Sequence, residues 1–363
     1  MKQTDILIIG GGPAGMVAAI EAAELGAEVV LAERDDRLGG QLIKQTHKFF
    51  GSQKQYAGSR GIDIAKMLEE RLENNPRVEV LKNTTVLGVY EDGVITMEGD
   101  NKHIKIKPAR TIVASGASEK FLPFVNNDMP GIYGAGAVQT LMNVYGVIPG
   151  KRVLMVGAGN IGLIVSYQLM QSGVEVAAII DAAPKIGGYL VHASKIRRAG
   201  VPILTSHTIL KAYGKDVVEG ASLSKLDENW QPIPGSEIDM KVDVICLAVG
   251  LSPLTELCWQ AGCQMKYVHE LGGYVPYKNQ FLETTIPGFY VCGDAGGVEE
   301  ASAAMVEGRV AGIAAADSLG YGLNNAQLLE AALKELDDLR SGPAGEKIIS
   351  GLAKCLVKGG VAC

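Results

Sequence analysis

Two glycine-rich segments of this 363-residue chain have the spacing that binds the phosphates of a dinucleotide. They read GGGPAG at positions 10–15 and GAGNIG at positions 157–162, so the second begins 147 residues after the first. The first glycine of such a pattern allows a tight turn, the second leaves room for a pyrophosphate, and the third lets helix and strand pack closely. The following helix presents free N–H groups to the phosphates. The sequence therefore predicts two dinucleotide sites.

An acidic residue follows each glycine pattern at the distance expected for a ribose contact. Glu33 lies 23 residues after Gly10, and Asp181 lies 24 residues after Gly157. Either carboxylate would accept hydrogen bonds from adenosine ribose hydroxyls. Asp181 would also repel a 2′-phosphate, and the next residues supply no arginine, only Lys185. This favours NADH over NADPH, although the second site could hold another adenine nucleotide or be vestigial.

The elements that position these residues are repeated in one order along the chain. Each copy has a strand, the glycine turn, a helix closed by Gly26 or Gly173, and a second strand. A Gly-Gly pair follows at 39–40 and at 187–188, then short alternating strands at 78–107 and 209–241. Each copy ends in an apolar strand leading to a small residue and glycine, at 111–116 and 244–250. The fold class predicted is α/β, with two Rossmann-like domains, the second inserted in the first, each with a small antiparallel β-meander.

Composition argues against several classes of partner. The net charge is −6 and the isoelectric point about 5.5, which disfavours nucleic acid and anionic membrane surfaces. The apolar stretches at 6–20 and 153–174 contain the glycine patterns, so neither is expected to span a membrane. Six cysteines without a CxxC pair suggest a reducing, cytoplasmic location. Their spacing does not suggest a metal site.

The chain resembles the two-dinucleotide-binding-domain flavoproteins, the superfamily of thioredoxin reductase and the pyridine nucleotide-disulfide reductases. The resemblance covers residues 1 to about 320, and its markers are GGGPAG, Glu33, Gly39-Gly40, Ala114-Ser115-Gly116, GAGNIG and Cys292-Gly293-Asp294. It implies that the first site binds FAD, with Asp294 on the ribityl chain and the Val86 backbone near adenine. It also implies that Glu300 and Ala301, at the start of the next helix, lie near the flavin pyrimidine, where the helix dipole would stabilise reduced flavin.

These patterns define the candidate cofactor-binding residues. For FAD they are Gly10, Gly12, Pro13, Ala14, Gly15, Glu33, Arg34, Gly40, Gln41, Val86, Ala114, Gly116, Gly293, Asp294, Glu300 and Ala301. For NAD(H) they are Gly157, Gly159, Asn160, Ile161, Gly162, Asp181 and Gly250. The corresponding domains are 1–118 with 246–323 for FAD and 119–245 for NAD. A helical tail at 324–363 either packs on its own domain or docks a partner protein.

The chain lacks the redox-active cysteines that the disulfide reductases of this superfamily carry. The windows where relatives place them, Leu42–His47 and Tyr133–Thr140, contain no sulfur, and the first cysteine is Cys246. Electrons are therefore expected to leave the flavin directly, to a small substrate, oxygen or a second redox centre. Lys44 and His47 lie where relatives carry their redox-active cysteine pair. Each could act as a general acid or base, or could be a surface residue without a catalytic role. Catalytic residues stay unassigned.

A narrower resemblance lies in 130–143, in 149–152, in 192–200 and in Glu307-Gly308-Arg309. These segments look like the flavin subunits of multi-subunit amine and imino-acid dehydrogenases, such as those of opine oxidase, hydrogen cyanide synthase and dye-linked proline dehydrogenase. The resemblance implies that the chain forms an oligomer with a second flavoprotein, an iron–sulfur subunit or both. In that assembly, this chain would relay electrons between a partner's redox centre and NAD(H). Only Cys355 and Cys363 lie in the tail, too few for a cluster of its own. A stand-alone NADH-dependent reductase of a carrier protein or small molecule, and a non-catalytic nucleotide-binding subunit, are the alternatives.

Overall fold

The computed structural model describes residues 2–49 and 52–357 and divides the chain into two units. The first unit is built from the residues up to Ser118 and from those that follow Gly250, and the second unit is Glu119–Gly250. Cys363 lies outside the described residues, as does the end of the predicted tail. The second unit is thus one continuous segment inserted into the first.

The first unit opens with a strand–helix–strand arrangement and a meander. Its elements up to the boundary are β1 (Lys2–Ile9), α1 (Pro13–Glu24), β2 (Val29–Ala32), α2 (Gly61–Glu73), β3 (Val78–Leu81), β4 (Thr84–Val89), β5 (Ile95–Gly99), β6 (Lys102–Val113) and β7 (Ala117–Glu119). The sheet order is β3-β2-β1-β6-β5-β4. Strands β1, β2 and β3 run parallel to one another, and β1 is also parallel to β6. The second half of β1 is almost wholly buried, as expected of a parallel strand covered on both faces.

The predicted stretch of short strands at 78–107 divides between two parts of this sheet. Only β4, β5 and β6 form the antiparallel meander. Val78–Leu81 instead pairs in parallel with β2 and extends the nucleotide-binding sheet. A short strand of alternating residues satisfies either pairing, so its neighbour is decided by the connection through α2 and not by its own sequence.

The second unit repeats the arrangement with a separate meander. Its elements are β8 (Ile132–Gly134), α3 (Ala135–Gln139), β9 (Arg152–Val156), α4 (Asn160–Gln171), β10 (Glu175–Asp181), α5 (Leu190–Arg198), β11 (Ile203–Thr205), β12 (His207–Tyr213), β13 (Gly220–Lys225), β14 (Ile238–Met240) and β15 (Val244–Leu247). The parallel sheet has the order β11-β10-β9-β15-β8, and β12-β13-β14 form the antiparallel meander. The unit extends to Gly250, beyond the predicted domain end at 245, because β15 pairs with β9 and β8.

The chain then completes the first unit. The remaining elements are β16 (Leu251–Pro253), α6 (Glu256–Gln260), β17 (Met265–Val268), β18 (Gly273–Pro276), β19 (Phe289–Val291), α7 (Ala301–Asp317), α8 (Asn325–Leu339) and α9 (Pro343–Cys355). Strand β19 joins β6 in parallel at 111–113. Both tail helices pack within this unit: α8 buries Leu329 and Ala332 against its core, and Cys355 at the end of α9 packs against Val268, Leu271 and Val275.

The strand orders and parallel pairings of the two units confirm the predicted α/β class, with parallel sheets typical of Rossmann-like domains.

Across 2–49 and 52–357, no helix combines the length with the apolar composition that crossing a lipid bilayer requires. The apolar stretch at 6–20 is divided between β1 and α1, and the stretch at 153–174 is divided mainly between β9 and α4.

Candidate functional site

The turn between β1 and α1 leaves an open space in front of a helix N-terminus. Gly10 has φ +107°, and a Cβ there would lie 2.4 Å from the Ala114 carbonyl oxygen. A Cβ on Gly15 would lie 1.9 Å from the Gly10 carbonyl oxygen, so the helix packs directly on the turn. A Cβ on Gly12 would meet no atom within 4 Å, and Pro13 follows it as the first residue of α1. Gly10 and Gly15 are therefore needed for packing, whereas Gly12 faces the space that a pyrophosphate would fill.

Glu33 ties this turn to the end of β2. Its Oε2 accepts a hydrogen bond from the Gly11 N–H at 2.7 Å, and its Oε1 accepts one from the Asp35 N–H at 2.9 Å. The residue is buried, and its carbonyl accepts the N–H of Thr84 at the start of β4. Val86 lies two residues further along that strand, opposite Met97. The carboxylate is thus held in a fixed orientation beside the glycine turn.

The Gly39-Gly40 pair packs against the same turn. The Gly39 N–H donates to the Gly11 carbonyl at 2.8 Å, and a Cβ on Gly40 would lie 2.9 Å from the Gly12 Cα. Gln41 lies in the short 3-10 helix Gly40–Lys44, and its side chain is exposed, as is that of Arg34. Neither side chain is therefore fixed by burial.

Two further strands bring the remaining candidate FAD residues to the same sheet edge. Ala114 and Gly116 follow β6, and Gly293 and Asp294 follow β19. A Cβ on Gly293 would lie 2.9 Å from the Ala14 Cβ. The carboxyl ends of β1, β2, β6 and β19 therefore meet at one edge, where open α/β sheets bind their ligands.

Helices α1 and α7 pack against each other, and the start of α1 meets α7 at its eighth residue, Gly308. A Cβ on Gly308 would lie 2.1 Å from the Ala14 carbonyl oxygen, and one on Gly312 would lie 2.5 Å from the Ala18 carbonyl oxygen. The contacts advance by one turn in the same direction along both helices, so the helices run parallel. The N-terminus of α7, where Glu300 precedes Ala301, therefore lies at the same end as that of α1. The positive ends of both helix dipoles therefore point in the same direction.

Asp294 is partly buried at this edge. Its Oδ1 accepts a hydrogen bond from the Glu299 N–H at 3.2 Å. Burial raises the pKa of Asp294 to about 6, and the hydrogen bond from Glu299 only partly opposes that effect. A group that donates hydrogen bonds to the carboxylate, as a sugar alcohol does, would favour its ionised form.

A buried ion-pair network lies behind the Gly293-Asp294 turn, and sequence reasoning did not detect it. Arg340, at the end of α8, donates Nε and Nη2 to the two oxygens of Glu299 at 2.9 and 2.7 Å, and Nη2 also reaches Glu307 at 2.6 Å. Glu307 Oε2 accepts the Gly293 N–H at 2.9 Å. Lys278 Nζ lies 3.7 Å from Glu307 and donates to a backbone carbonyl at 3.1 Å. Burial acts to raise the pKa of Glu307, but Lys278 and Arg340 outweigh it and the net shift is downward.

The second unit builds the same turn from different residues. Gly157 has φ +113°, and a Cβ there would lie 2.3 Å from the Ala248 carbonyl oxygen. A Cβ on Gly162 would lie 2.0 Å from the Gly157 carbonyl oxygen, and one on Gly159 would meet no atom within 4 Å. The open space in front of α4 therefore matches the one in front of α1.

The acid and the glycine pair are also repeated. Asp181 accepts the Ala158 N–H at 2.6 Å and the Ala183 N–H at 2.8 Å. The Gly188 N–H donates to the Ala158 carbonyl at 2.9 Å. Asn160 Oδ1 accepts the Tyr189 N–H at 2.8 Å, which joins the start of α4 to the loop after the glycine pair.

The remaining candidates of the second site lie at the exposed rim. Ile161, Lys185 and Gly250 are all exposed, and Gly250 has φ +114° where the chain leaves the strand β15. The basic side chain of Lys185, four residues after Asp181, is therefore not fixed by burial.

The residues at the sulfur-free redox window are partly buried. Lys44 ends the short 3-10 helix, and the His47 ring lies 5.9 Å from the Phe49 ring in a stacked arrangement. The cysteines within the described residues, Cys246, Cys258, Cys263, Cys292 and Cys355, are buried free thiols. Burial raises the pKa values of Cys246 and Cys292 far above the ordinary range, which makes both unreactive. Among the described residues, no cluster of three or more His, Cys, Asp or Glu could hold a metal ion.

The chemistry of both sites fits a dinucleotide. Each combines an uncrowded glycine at a helix N-terminus with a carboxylate fixed beside it, which are the groups that a pyrophosphate and a ribose require. The first site adds a second helix N-terminus and the Asp294 carboxylate, which suit the longer FAD molecule.

Comparison with known proteins agrees with this geometry. The family described as pyridine nucleotide-disulphide oxidoreductase matches residues 4–308. Hydrogen cyanide synthase subunit HcnB of Pseudomonas protegens is 27% identical over 341 residues, which cover 89% of this chain and 72% of that protein. The A subunit of opine oxidase from Agrobacterium tumefaciens is 27% identical over 328 residues, which cover 86% of this chain and 65% of that protein. The chain thus spans only part of the length of each relative.

The crystal structure of L-proline dehydrogenase from P. horikoshii superposes with a TM-score of 0.69 at 25% sequence identity. The alignment covers 92% of this chain and 59% of that one. Together with the two sequence relatives, this structure confirms the resemblance predicted from the glycine motifs and the shorter segments.

Proposed function

Because the chain belongs to the pyridine nucleotide-disulphide oxidoreductase family, we propose that it is the FAD-carrying, electron-relaying component of a heteromeric amine or imino-acid dehydrogenase. Membership of this family makes it an FAD/NAD(P)-dependent oxidoreductase. The proposed substrate class and the proposed partners, a second flavoprotein or an iron–sulfur protein, draw support from relatives that are themselves named as subunits of oxidases and synthases.

The observation that carries the proposal is the combination of two complete nucleotide sites with no cysteine at either redox position. In each unit, the acid accepts a hydrogen bond from the glycine turn, and the glycine pair donates one to the same turn. Residues 42–47 and 133–140 contain no cysteine. Electrons that enter such a chain must therefore leave without passing through a disulfide at those positions, which suits a relay to a partner.

Each group has a defined role in this proposal. Gly12 and the N-terminus of α1 hold the FAD pyrophosphate, Glu33 orients the adenosine ribose, and Asp294 accepts hydrogen bonds from the ribityl chain. The N-terminus of α7 places positive potential where the flavin pyrimidine would carry negative charge. A bound FAD supplies hydride and electron-transfer chemistry that side chains cannot. Asp181 and the N-terminus of α4 hold NAD(H) in the second site.

The test compares the isolated chain with the assembly recovered from its native host through a tag on this chain. We expect the isolated chain to bind FAD and to reduce an artificial dye with NADH. We expect substrate-dependent electron transfer from amines or imino acids only in the assembly. Equal turnover of such a substrate by the isolated chain would refute the relay role. Recovery of the chain alone, with full NADH-dependent turnover of one natural acceptor, would favour the stand-alone reductase.

A further inference from the structure

We propose that Arg340, from the C-terminal helix pair, is the positioning residue that fixes the flavin-binding turn at Gly293-Asp294. The proposal rests on the proposed function, because it assumes that Asp294 binds FAD. Arg340 lies beyond residue 308, where the family match ends.

One guanidinium holds the turn from both sides. Its fork contacts both oxygens of Glu299, and the Glu299 N–H donates to the Asp294 carboxylate at 3.2 Å. Its Nη2 also contacts Glu307, whose other oxygen accepts the Gly293 N–H at 2.9 Å. The turn is therefore tied to Arg340 through its first residue and through its carboxylate.

Arg340, Glu299 and Glu307 are charged side chains that are mostly buried, so each needs a partner of opposite charge. The side chains of Arg340, Glu299 and Glu307 expose 9%, 12% and 4% of their surfaces. Burial lowers the pKa of the Arg340 guanidinium, but the hydrogen bond to Glu299 and the charges of both glutamates outweigh it, so the net shift is upward. Without the guanidinium, Lys278 alone would face Glu307, and Glu299 would lose its bidentate partner. A buried carboxylate without a partner turns toward water or takes up a proton, and either change would move the turn.

The chain offers a matched control on the same pair of helices. Arg309 on α7 pairs with Glu335 on α8 at 3.3 Å, and with Glu21 at 3.8 Å. These contacts help to join α7 and α8, and they involve no residue of 293–300. Arg309→Gln should therefore remove an ion pair between α7 and α8 and leave the contacts of Arg340 with Glu299 and Glu307 in place.

The experiment titrates FAD into apo-protein and measures affinity and the reduction potential of the bound flavin. Arg340→Gln should raise the Kd for FAD about tenfold and shift the potential, whereas Arg309→Gln should leave both near wild type. Arg340→Lys, which keeps the charge but loses the fork, should give an intermediate Kd. The double variant Glu307→Gln/Arg340→Gln should bind FAD better than Arg340→Gln alone, because a neutral amide in place of the Glu307 carboxylate removes the buried charge and can still accept the Gly293 N–H.

The outcomes separate the two proposals. Wild-type apo-protein that binds no FAD would refute the proposed function itself. Wild-type binding with equal Kd values and potentials for Arg340→Gln and Arg309→Gln would overturn the role of Arg340 alone. If Arg340→Gln does not fold, the Kd of Arg340→Lys decides: a value equal to wild type refutes the proposal, and an increase supports it.

Discussion

Glu33 and Asp181 make the same pair of hydrogen bonds in two different units. Each carboxylate accepts one bond from its glycine turn, from the Gly11 N–H at 2.7 Å or the Ala158 N–H at 2.6 Å. Each accepts a second bond from the residue two positions later, Asp35 or Ala183. Glutamate and aspartate differ in length by one methylene, yet the two carboxylates accept hydrogen bonds from equivalent N–H groups. Repetition in such detail indicates that both turns are kept for a ligand.

Gly12→Val should abolish FAD binding without unfolding the protein. The new side chain would enter space that no protein atom occupies within 4 Å, which is where the pyrophosphate is proposed to lie. Flavin content after purification, with the melting temperature of the apo-protein, checks this. Gly159→Val is the matched control: it should abolish NADH binding and leave flavin content unchanged. Full flavin content in Gly12→Val would contradict the assignment.

Gly15→Ala should behave in the opposite way and destabilise the fold itself. Its Cβ would lie 1.9 Å from the Gly10 carbonyl oxygen, which is backbone and cannot move aside cheaply. We expect a loss of several kcal/mol in the free energy of unfolding, because overpacking of this kind shifts the backbone. Urea unfolding of the apo-protein measures it. An apo-protein as stable as wild type would show that helix α1 can move away from the turn.

NADH should reduce the bound flavin faster than NADPH. Asp181→Asn should lower the ratio of the two rates about tenfold, because loss of one negative charge removes repulsion of the 2′-phosphate. Anaerobic stopped-flow reduction with each nucleotide measures the ratio. Lys185→Ala is the control, because removing the one nearby cation should disfavour NADPH further. Faster reduction of the wild-type protein by NADPH would contradict this assignment of the second site.

Apo-protein stability should depend on the ionisation of Asp294. Burial raises the pKa of this carboxyl from 3.8 to about 6. The protonated group therefore stabilises the fold below about pH 4, and that contribution is lost as the pH rises through about 6. The loss corresponds to roughly 3 kcal/mol. Asp294→Asn apo-protein should thus unfold at higher urea than wild type at pH 8, with little difference at pH 4. Lower stability of the variant at pH 8 would contradict this.

Thiol reagents should leave the flavin chemistry intact. The described cysteines are buried, and Cys263 is the most accessible of them at 5% exposure. Ellman's reagent should therefore react slowly with Cys246, Cys258, Cys263, Cys292 and Cys355 in the native protein and quickly after guanidinium unfolding. Dye reduction by NADH should persist in the alkylated native protein. Loss of that activity with flavin still bound would point to a thiol in the electron path.

Local sequence signals were sufficient for the repeated core of the fold. The predicted order of strand, glycine turn and helix closed by Gly173 is found in the second unit, where β9 ends at Val156, directly before the glycine turn, and α4 ends at Gln171, two residues before Gly173. Signals of this kind lie within a few residues of the element that they define. The candidate FAD residues Gly10, Glu33, Ala114 and Gly293 lie at one sheet edge for the same reason, since each comes soon after a strand of recognisable pattern.

Features that depend on distant pairing were not predictable. Arg340 is separated from Glu299 by 41 positions and from Glu307 by 33, and no spacing rule joins an arginine at a helix end to either. The predicted stretch of short strands at 78–107 includes β3, whose partner, β2, precedes α2 in the sequence. Partners across such distances are selected by packing, which a single sequence does not display.

The discontinuity of the first unit sets the order in which a nascent chain can acquire its cofactors. A ribosome releases residues 119–250 as one block that contains all strands of its own sheets. Helix α1 must wait for α7, whose Gly308 and Gly312 lie against it, and the turn at Gly293-Asp294 is also translated late. The second nucleotide site can therefore form during translation, whereas flavin incorporation has to follow synthesis of nearly the whole described chain.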